Sequence, residues 1–492
     1  MSKVVSRIAA VSIALLSLAG CSDPALGTGS RGAGGVGGSG AEGGMAGMGG
    51  EGGTGGIDEC ATDNGGCGDA TFYACENNDG APPTCADIDE CATNNGECGD
   101  ATFYTCENND GAPPTCADLD ECATDNGGCG NALYNSCANN VAAPPTCSSL
   151  PWSPVGDVGF TSGNPLDTSM DVASDGTPYV GYANNADGQR AAVMRFNGAA
   201  WEYVGTPGFS AGSAGDLKIV LSPTDVPYVA YVDFVNGQRV TVQRYIDPTG
   251  WEVVGTAGFP AGAFPLDVAL DFASDGTPYV GFADNGNGQK MRVMRMGVTA
   301  WEDFGAVGFS PGAAGDAVLA MAGSVAYVAF KDFANGQRIT VMSNSGSGWS
   351  AVGPVGFGSN GAYGLKIAVN SVGTPYISFV DNGDSQKISV MSYSGSWNLV
   401  GLASFSYPFC LDSSLAFDSA DTPYVAYSDN AGQKASAMWF VNGAWEFLGT
   451  SRFSSSSASE TVIALDPDSP ATPFVGYIDF GAGQRITVQS IK

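Results

Sequence analysis

Seven tryptophans, Trp152, Trp201, Trp251, Trp301, Trp349, Trp397 and Trp445, recur every 48 to 50 residues through the C-terminal part of the chain. A repeat of this length points to a propeller or a solenoid. Each unit holds four apolar runs, seen in the third as WEVVG (251–255), LDVALDF (266–272), TPYVGFA (277–283) and QKMRVMRM (289–296). The runs are short, rich in Val, Tyr and Phe, and bounded by Gly, Pro, Asn or Asp, which is the signature of strands. SDGTP at 174–178 and 274–278 places Asp-Gly between two runs, a strong hairpin signal. No segment reads as a helix. Four antiparallel strands repeated seven times predict an all-β, seven-bladed β-propeller of four-stranded blades over 150–492. A β-solenoid is the rival, but its repeats are usually shorter. The TPYVGF runs are predicted to be buried on both faces, with LDVALDF innermost and the Trp run outermost. The domain opens on a Trp run and ends after QRITVQSI, so residues 152–156 are expected to pair with 484–491 and close the ring.

A second feature of each unit is a Gln-Arg or Gln-Lys step, at 189–190, 238–239, 289–290, 337–338, 386–387, 433–434 and 484–485. Seven cations at one point of a repeat could form a ring-shaped site. An acid stands six residues earlier in most units, as in Asp233 and Arg239, Asp284 and Lys290, Asp332 and Arg338, Asp381 and Lys387, and Asp479 and Arg485. Unit one has Asn184 before Arg190, and unit six has Asp429 five before Lys434. Positions six apart face each other across a hairpin, so the sequence favours cross-strand ion pairs, and hence scaffold, over a free ring.

The chain contains no histidine, which removes Ser-His-Asp and Cys-His catalysis and makes zinc improbable. GFSAG (208–212) and GFSPG (308–312) match G-x-S-x-G but lack the helix and the His partner that the motif needs. Carboxylate-pair catalysis remains formally open. However, Asp175, Asp225, Asp275 and Asp421 recur as turn formers, and no cluster that breaks the repeat is evident. The S-x-D-x-G-x-x-W signature of sialidase-type propellers is missing. The expectation is therefore that the chain is not an enzyme. Cys410, the lone cysteine of this region, reads as a buried structural thiol.

Residues 1–20 carry Lys3 and Arg7 ahead of the apolar run IAAVSIALLSLAG, the form of an export signal. Leu18-Ala19-Gly20-Cys21 resembles the lipobox of bacterial lipoproteins. That resemblance implies cleavage before Cys21 and lipidation of its thiol, hence a bacterial envelope location at the outer membrane or cell surface. Membrane contact would come only through this N-terminal lipid. Residues 21–56 continue as a Gly-rich linker that cannot bury a core. About thirty such residues span roughly 30 Å as a disordered tether.

Twelve cysteines fall in three near-copies of period 31, at 57–86, 87–117 and 118–149. In an exported chain they form a disulfide framework, needed because about 30 residues cannot supply a sufficient core. Four cysteines per copy allow three connectivities, and sequence alone does not choose. The residues DIDEC (87–91), DLDEC (118–122), NGEC or NGGC, and CENNDG (106–111) resemble calcium-binding EGF-like modules. Family members have six cysteines, so these copies are truncated. The resemblance implies first-to-third and second-to-fourth pairing: Cys60–Cys75 and Cys67–Cys85, Cys91–Cys106 and Cys98–Cys116, Cys122–Cys137 and Cys129–Cys147. It also implies calcium ligands Asp87, Glu90 and Asn108 in the second copy and Asp118, Glu121 and Asn139 in the third, an all-oxygen set suited to Ca²⁺. The first copy has Gly56 in place of the leading Asp. The alternative is an acidic spacer that binds no metal.

The net charge of −31 argues against nucleic acid and anionic membranes as partners. The reading is a lipid-anchored surface protein that displays a propeller, expected to be monomeric, on a disulfide-rich stalk to recognise a protein or glycan. The alternatives are a structural envelope component and a glycan-active enzyme that uses a carboxylate pair.

Overall fold

The structure is a computed structural model that describes residues 58–491, apart from 79–80, 360, 431 and 468–470. The chain divides into two compact units, Met1–Asp87 and Ile88–Lys492. In the first unit, a hairpin of Tyr73–Asn78 and Ala81–Asp87 follows two short 3₁₀ turns. Cys60–Cys75 and Cys67–Cys85 staple it.

The second unit begins with two more copies of this design. Their hairpins are Tyr104–Asn109 with Ala112–Asp118, and Asn135–Asn140 with Ala143–Ser149. Disulfides join Cys91–Cys106, Cys98–Cys116, Cys122–Cys137 and Cys129–Cys147. Each bridge closes a loop of 15 or 18 residues. Such a loop removes about 3 kcal/mol of chain entropy from the unfolded state. The third copy is seated on the domain that follows. Tyr134 is 2% exposed, its hydroxyl lies 3.2 Å from that of Tyr424, and its ring meets Trp439 edge-on at 4.9 Å.

That domain is a seven-bladed propeller of four-stranded antiparallel blades, with no α-helix among the described residues. Blade 1 runs Pro165–Val172, Pro178–Asn184, Arg190–Phe196 and Trp201–Tyr203 from the channel outward. The other inner strands are Ala214–Leu221, Pro265–Phe272, Ala314–Ala322, Tyr363–Val369, Ser414–Phe417 and Ala458–Leu465. The second strands of blades 1, 2, 3, 6 and 7 are buried at every residue, because both faces pack on neighbouring blades. Ser153–Pro154 pairs with Arg485–Ser490 as the outer strand of blade 7, so the first strand of the domain closes the ring.

The repeated sequence is largely the chemistry of the blade interfaces. Each marker tryptophan donates its indole N–H to the carbonyl of the residue just past the preceding outer strand, from Trp201 to Val155 at 2.7 Å through to Trp152 to Leu448 at 2.8 Å. A phenylalanine from the next loop stacks on the indole, as Phe160 does on Trp201 at 4.1 Å and Phe453 on Trp152 at 4.2 Å. In six of the seven units the glycine that ends the WEVVG-type run lies against the neighbouring indole with positive φ, whereas Gly449 lies against Leu150 and Ile491. A Cβ on Gly255 would approach Trp301 Cδ1 to 3.0 Å, so a side chain is excluded there. The serines of the two G-x-S-x-G segments are clips. Ser210 accepts from Ala191 N–H at 2.9 Å and donates to the Gly212 carbonyl at 2.7 Å, and Ser310 repeats this with Met291 and Gly312. Cys410 is fully buried and unpaired, and burial pushes its thiol up to about 12, which makes it inert.

Because Trp152 is both ring closure and blade interface, Trp152→Ala is expected to cost about 3–5 kcal/mol. Equilibrium denaturant unfolding of the full chain measures this. A loss below 1 kcal/mol would show that closure does not depend on the indole.

Candidate functional site at the channel mouth

In a meander blade the start of the inner strand, the hairpin between second and third strands, and the loop arriving from the previous blade all emerge on one face. A β-bulge interrupts the start of the inner strand in six of the seven blades. The bulged residue has positive φ: Asp167 (56°), Asp216 (49°), Asp267 (55°), Asp316 (50°), Gly364 (61°) and Glu460 (51°). A non-glycine residue pays about 1–3 kcal/mol for such a conformation. Gly364 avoids that cost in blade 5, yet five blades keep a carboxylate there. With Asp412 of blade 6, these side chains ring the mouth of the channel, all half-buried.

Part of this ring is structural. Asp167 accepts from Asp216 N–H at 2.8 Å, Asp412 from Thr461 N–H at 2.9 Å, and Glu460 from Thr168 N–H at 3.0 Å, so carboxylates tie each inner strand to the next. The repeat is also broken at this point. Lys366 and Lys218 stand two residues beyond the bulge in blades 5 and 2, and Lys331 pairs with Asp316 at 3.0 Å. Burial and the neighbouring Lys218 bring Lys366 down to about 8. Burial raises Glu460 to about 7, with Asp167 and Asp412 adding repulsion, and it raises Asp412 as well. Toward the other end of the channel, burial raises Asp171 and Asp271 to about 6, and each accepts a 2.7 Å hydrogen bond from the next inner strand. Perturbed groups gathered in a channel make it the candidate site, although the same carboxylates also tie inner strands together.

Aromatic exposure falls on the same face. Phe234, Phe264, Phe333, Phe409 and Phe480 are the exposed phenylalanines among the described residues, at 40–49%. Phe234, Phe333 and Phe480 open hairpins between second and third strands, while Phe264 and Phe409 lead into inner strands. Phe234 and Phe333 lie over Gly215 and Gly315, each next to a ring aspartate. On the opposite face, the clefts between blades are lined by Arg195 and Arg244, already paired with Glu202 and Glu252.

The Gln-Arg step differs from its sequence reading. The register is as expected, with Asp332 opposite Arg338, Asp233 opposite Arg239 and Asp479 opposite Arg485. The ion pairs do not form. Asp332 is fully buried and accepts from Ala334 N–H at 3.0 Å, Asn335 Nδ2 at 2.8 Å and Thr340 Oγ1 at 2.9 Å, which caps the turn and occupies its oxygens. Asp233 and Asp479 do the same with Thr241 and Thr487. Gln supplies the scaffold function instead. All seven glutamines have φ between 51° and 60°, which turns the carbonyls of Gln189, Gln289, Gln386 and Gln433 onto N–H groups that lead into the next inner strand. The cations are left outside.

In the cysteine-rich repeats, Asn108 Oδ1 accepts from Glu90 N–H at 3.2 Å, and Asn139 Nδ2 donates to Asp118 at 2.9 Å. Both carboxylate oxygens of Glu90 and of Glu121 are buried without a hydrogen-bond partner. Asp87 ends its hairpin opposite Tyr73 in the first unit. Among the described residues, no three His, Cys, Asp or Glu side chains stand close enough to hold a metal. Cys21, the export signal and the Gly-rich tether lie outside the described residues, and no described helix is long and apolar enough to cross a membrane.

No protein-family model and no curated protein matches this sequence. Similar solved structures include a fucose-specific lectin from Aleuria aurantia, at 14% identity and TM-score 0.41 over 60% of this chain and 98% of the lectin. Another is an ulvan lyase, a polysaccharide lyase, at 12% identity and TM-score 0.44 over 68% and 95% of the two chains. A thermostable family-43 glycoside hydrolase matches at 14% identity and TM-score 0.34 over 51% and 98%. At these identities the likeness is one of fold. The expectation that the chain is not an enzyme does not stand, since the propellers matched include a lyase and a hydrolase as well as a lectin, and likenesses this remote assign none of those activities to this chain. The physical reason lies in the channel. A repeat-breaking group does exist, but its members are about fifty residues apart in sequence and meet only when the ring closes.

Glu460 links pH to stability. Its protonated form is favoured by folding, so that contribution is complete below its ordinary value of 4.5 and is lost as pH rises through about 7. Glu460→Gln is expected to flatten the decline in unfolding temperature between those pH values in thermal scans. A decline of unchanged steepness would refute the assignment.

Proposed function

We propose that the chain is a surface-anchored glycan-recognition protein that takes its ligand at the channel mouth. The observation that carries this reading is that the exposed phenylalanines share one face with the carboxylate ring. Sugars present apolar C–H faces that pack on aromatic rings and hydroxyls that donate to carboxylates. A site with aromatic walls and a few convergent acceptors satisfies both. The export signal and the lipobox at Cys21 support display at a bacterial surface, carried by the tether and the stapled repeats. A glycan array probed with the full chain tests the reading. Phe234→Ala/Phe333→Ala is expected to weaken binding about tenfold, since two aromatic contacts contribute about 1–3 kcal/mol. Failure of the unmodified chain to bind any glycan would favour a structural envelope role.

A second reading has its own observation. Glu460, poised near neutrality beside Asp412 and Asp167, has the proton affinity of a general acid, so acid–base chemistry on a bound glycan is within reach of the same site. Release of reducing ends or unsaturated products from a polysaccharide, abolished by Glu460→Gln, would establish it. Intact polymer after prolonged incubation would exclude it.

The repeats are further proposed to take calcium. Buried carboxylate oxygens without donors are costly unless a cation completes them, and those of Glu90 and Glu121 meet that condition. Asp118, Glu121 and Asn139 would hold the ion in the third copy, with Glu90 and Asn108 contributing in the second. Calcium titration calorimetry of the full chain is expected to show binding that Glu121→Gln weakens. Absence of heat at millimolar calcium would leave the repeats as an acidic spacer.

A further inference from the structure

The described cations of this protein sort into three groups. Arg195, Arg244, Arg292, Arg295, Lys331 and Arg452 each pair with a carboxylate within 4.0 Å. Lys218 and Lys366 stand in the channel. The rest are the cations of the Gln-Arg and Gln-Lys steps, one per blade. Among the described residues, Arg190, Arg239, Lys290, Arg338, Lys387 and Arg485 make no ion pair within 4.0 Å, and each is exposed or half-buried. Lys434 alone is committed, donating to the carbonyls of Ser454 and Ser455 at 2.9 and 2.7 Å.

Placement gives this group a direction. Each cation opens a third strand, on the face where the carboxylate ring and the exposed phenylalanines lie. It stands two strand spacings, about 10 Å, outside the inner strand of its blade. Phe234, Phe333 and Phe480 sit in the same hairpins as Arg239, Arg338 and Arg485, each directly after the capping Asp and five residues before the cation. The face is therefore concentric: carboxylates at the centre, aromatic rings around them, and unpaired cations at the rim. In a chain of net charge −31, carboxylates to neutralise these cations are abundant, yet the nearest one in most blades is turned inward to cap a hairpin.

We propose that this rim selects an anionic polysaccharide, one whose sugars carry carboxylate or sulfate groups, laid across the face so that its charges meet the cations and its sugar faces meet the phenylalanines. A nucleic acid duplex suits the face less well, because it presents phosphates at about one per 1.7 Å of its axis and offers the phenylalanines no apolar C–H face. An uronate polymer spaces its charges along the chain and leaves apolar C–H faces between them. This inference rests on the glycan reading above and specifies the class of glycan.

The test uses the full chain with polygalacturonate, dextran, poly-glutamate and a DNA duplex as probes, in affinity electrophoresis at low and high salt. Polygalacturonate is expected to bind at least about tenfold more tightly than dextran, and to lose that advantage at about 0.5 M salt, where the Debye length falls to a few ångströms. Arg239→Gln/Arg338→Gln/Arg485→Gln is expected to remove the advantage while sparing whatever affinity dextran has. The corresponding three Arg→Lys changes are expected to keep it. Equal binding of both polysaccharides, unaltered by the Gln variant, would overturn the rim assignment and leave the glycan reading standing. Binding of neither would overturn the rim assignment, and the glycan array then decides the glycan reading. Poly-glutamate or DNA binding as tightly as polygalacturonate would overturn the assignment to a polysaccharide.

Discussion

The contact on which the propeller depends is the tryptophan at each blade interface. Its indole N–H bonds to the previous outer strand, its face receives a phenylalanine from the next loop, and a glycine with no Cβ allows the approach. Each stack adds about 0.5–1.5 kcal/mol beyond the area it buries, and the ring contains seven. Because the indole reaches across blades, losing one contact weakens two neighbours. Blade packing is thereby made cooperative around the circle, and closure by Ser153–Pro154 joins its ends without an exposed edge.

A rigid ring of this kind frees its loops for other chemistry. Turn capping recurs in every blade, and the Gln carbonyl latch and the hydroxyl clips recur at the same point in most of them, so these needs are satisfied within the scaffold. The variable positions then fall on the inner strands and on one loop face. Carboxylates, lysines and phenylalanines converge there although each blade contributes only one or two. Strain at the bulged Asp and Glu positions has the same logic: a glycine would be cheaper, and the carboxylate is kept.

Much of this was legible in the sequence, since the fold rests on local and periodic signals. Strand runs, Asp-Gly turns, the blade order and the closing strand all follow from residues near one another or from exact repetition. The Gln-Arg step shows where such reasoning stops. Spacing gave the register of Asp332 and Arg338 correctly, but register fixes which Cα atoms face each other and says nothing of where a carboxylate finds its donors. Backbone N–H groups of the turn and the Thr340 hydroxyl offered Asp332 closer, buried partners, and the arginine was left to solvent. The same limit hid the channel cluster, because Glu460, Asp412, Lys366 and Lys218 belong to different blades.

The sequence by itself determined a seven-fold ring of four-stranded blades and a stapled cysteine-rich region, because both are written as period, turn chemistry and cysteine spacing. Tertiary structure alone decided which side chains share a face. Closing the ring brings residues about fifty positions apart around one axis. There, burial and neighbouring charge, rather than residue type, set the proton affinity of Glu460 and Lys366, and left the rim cations unpaired.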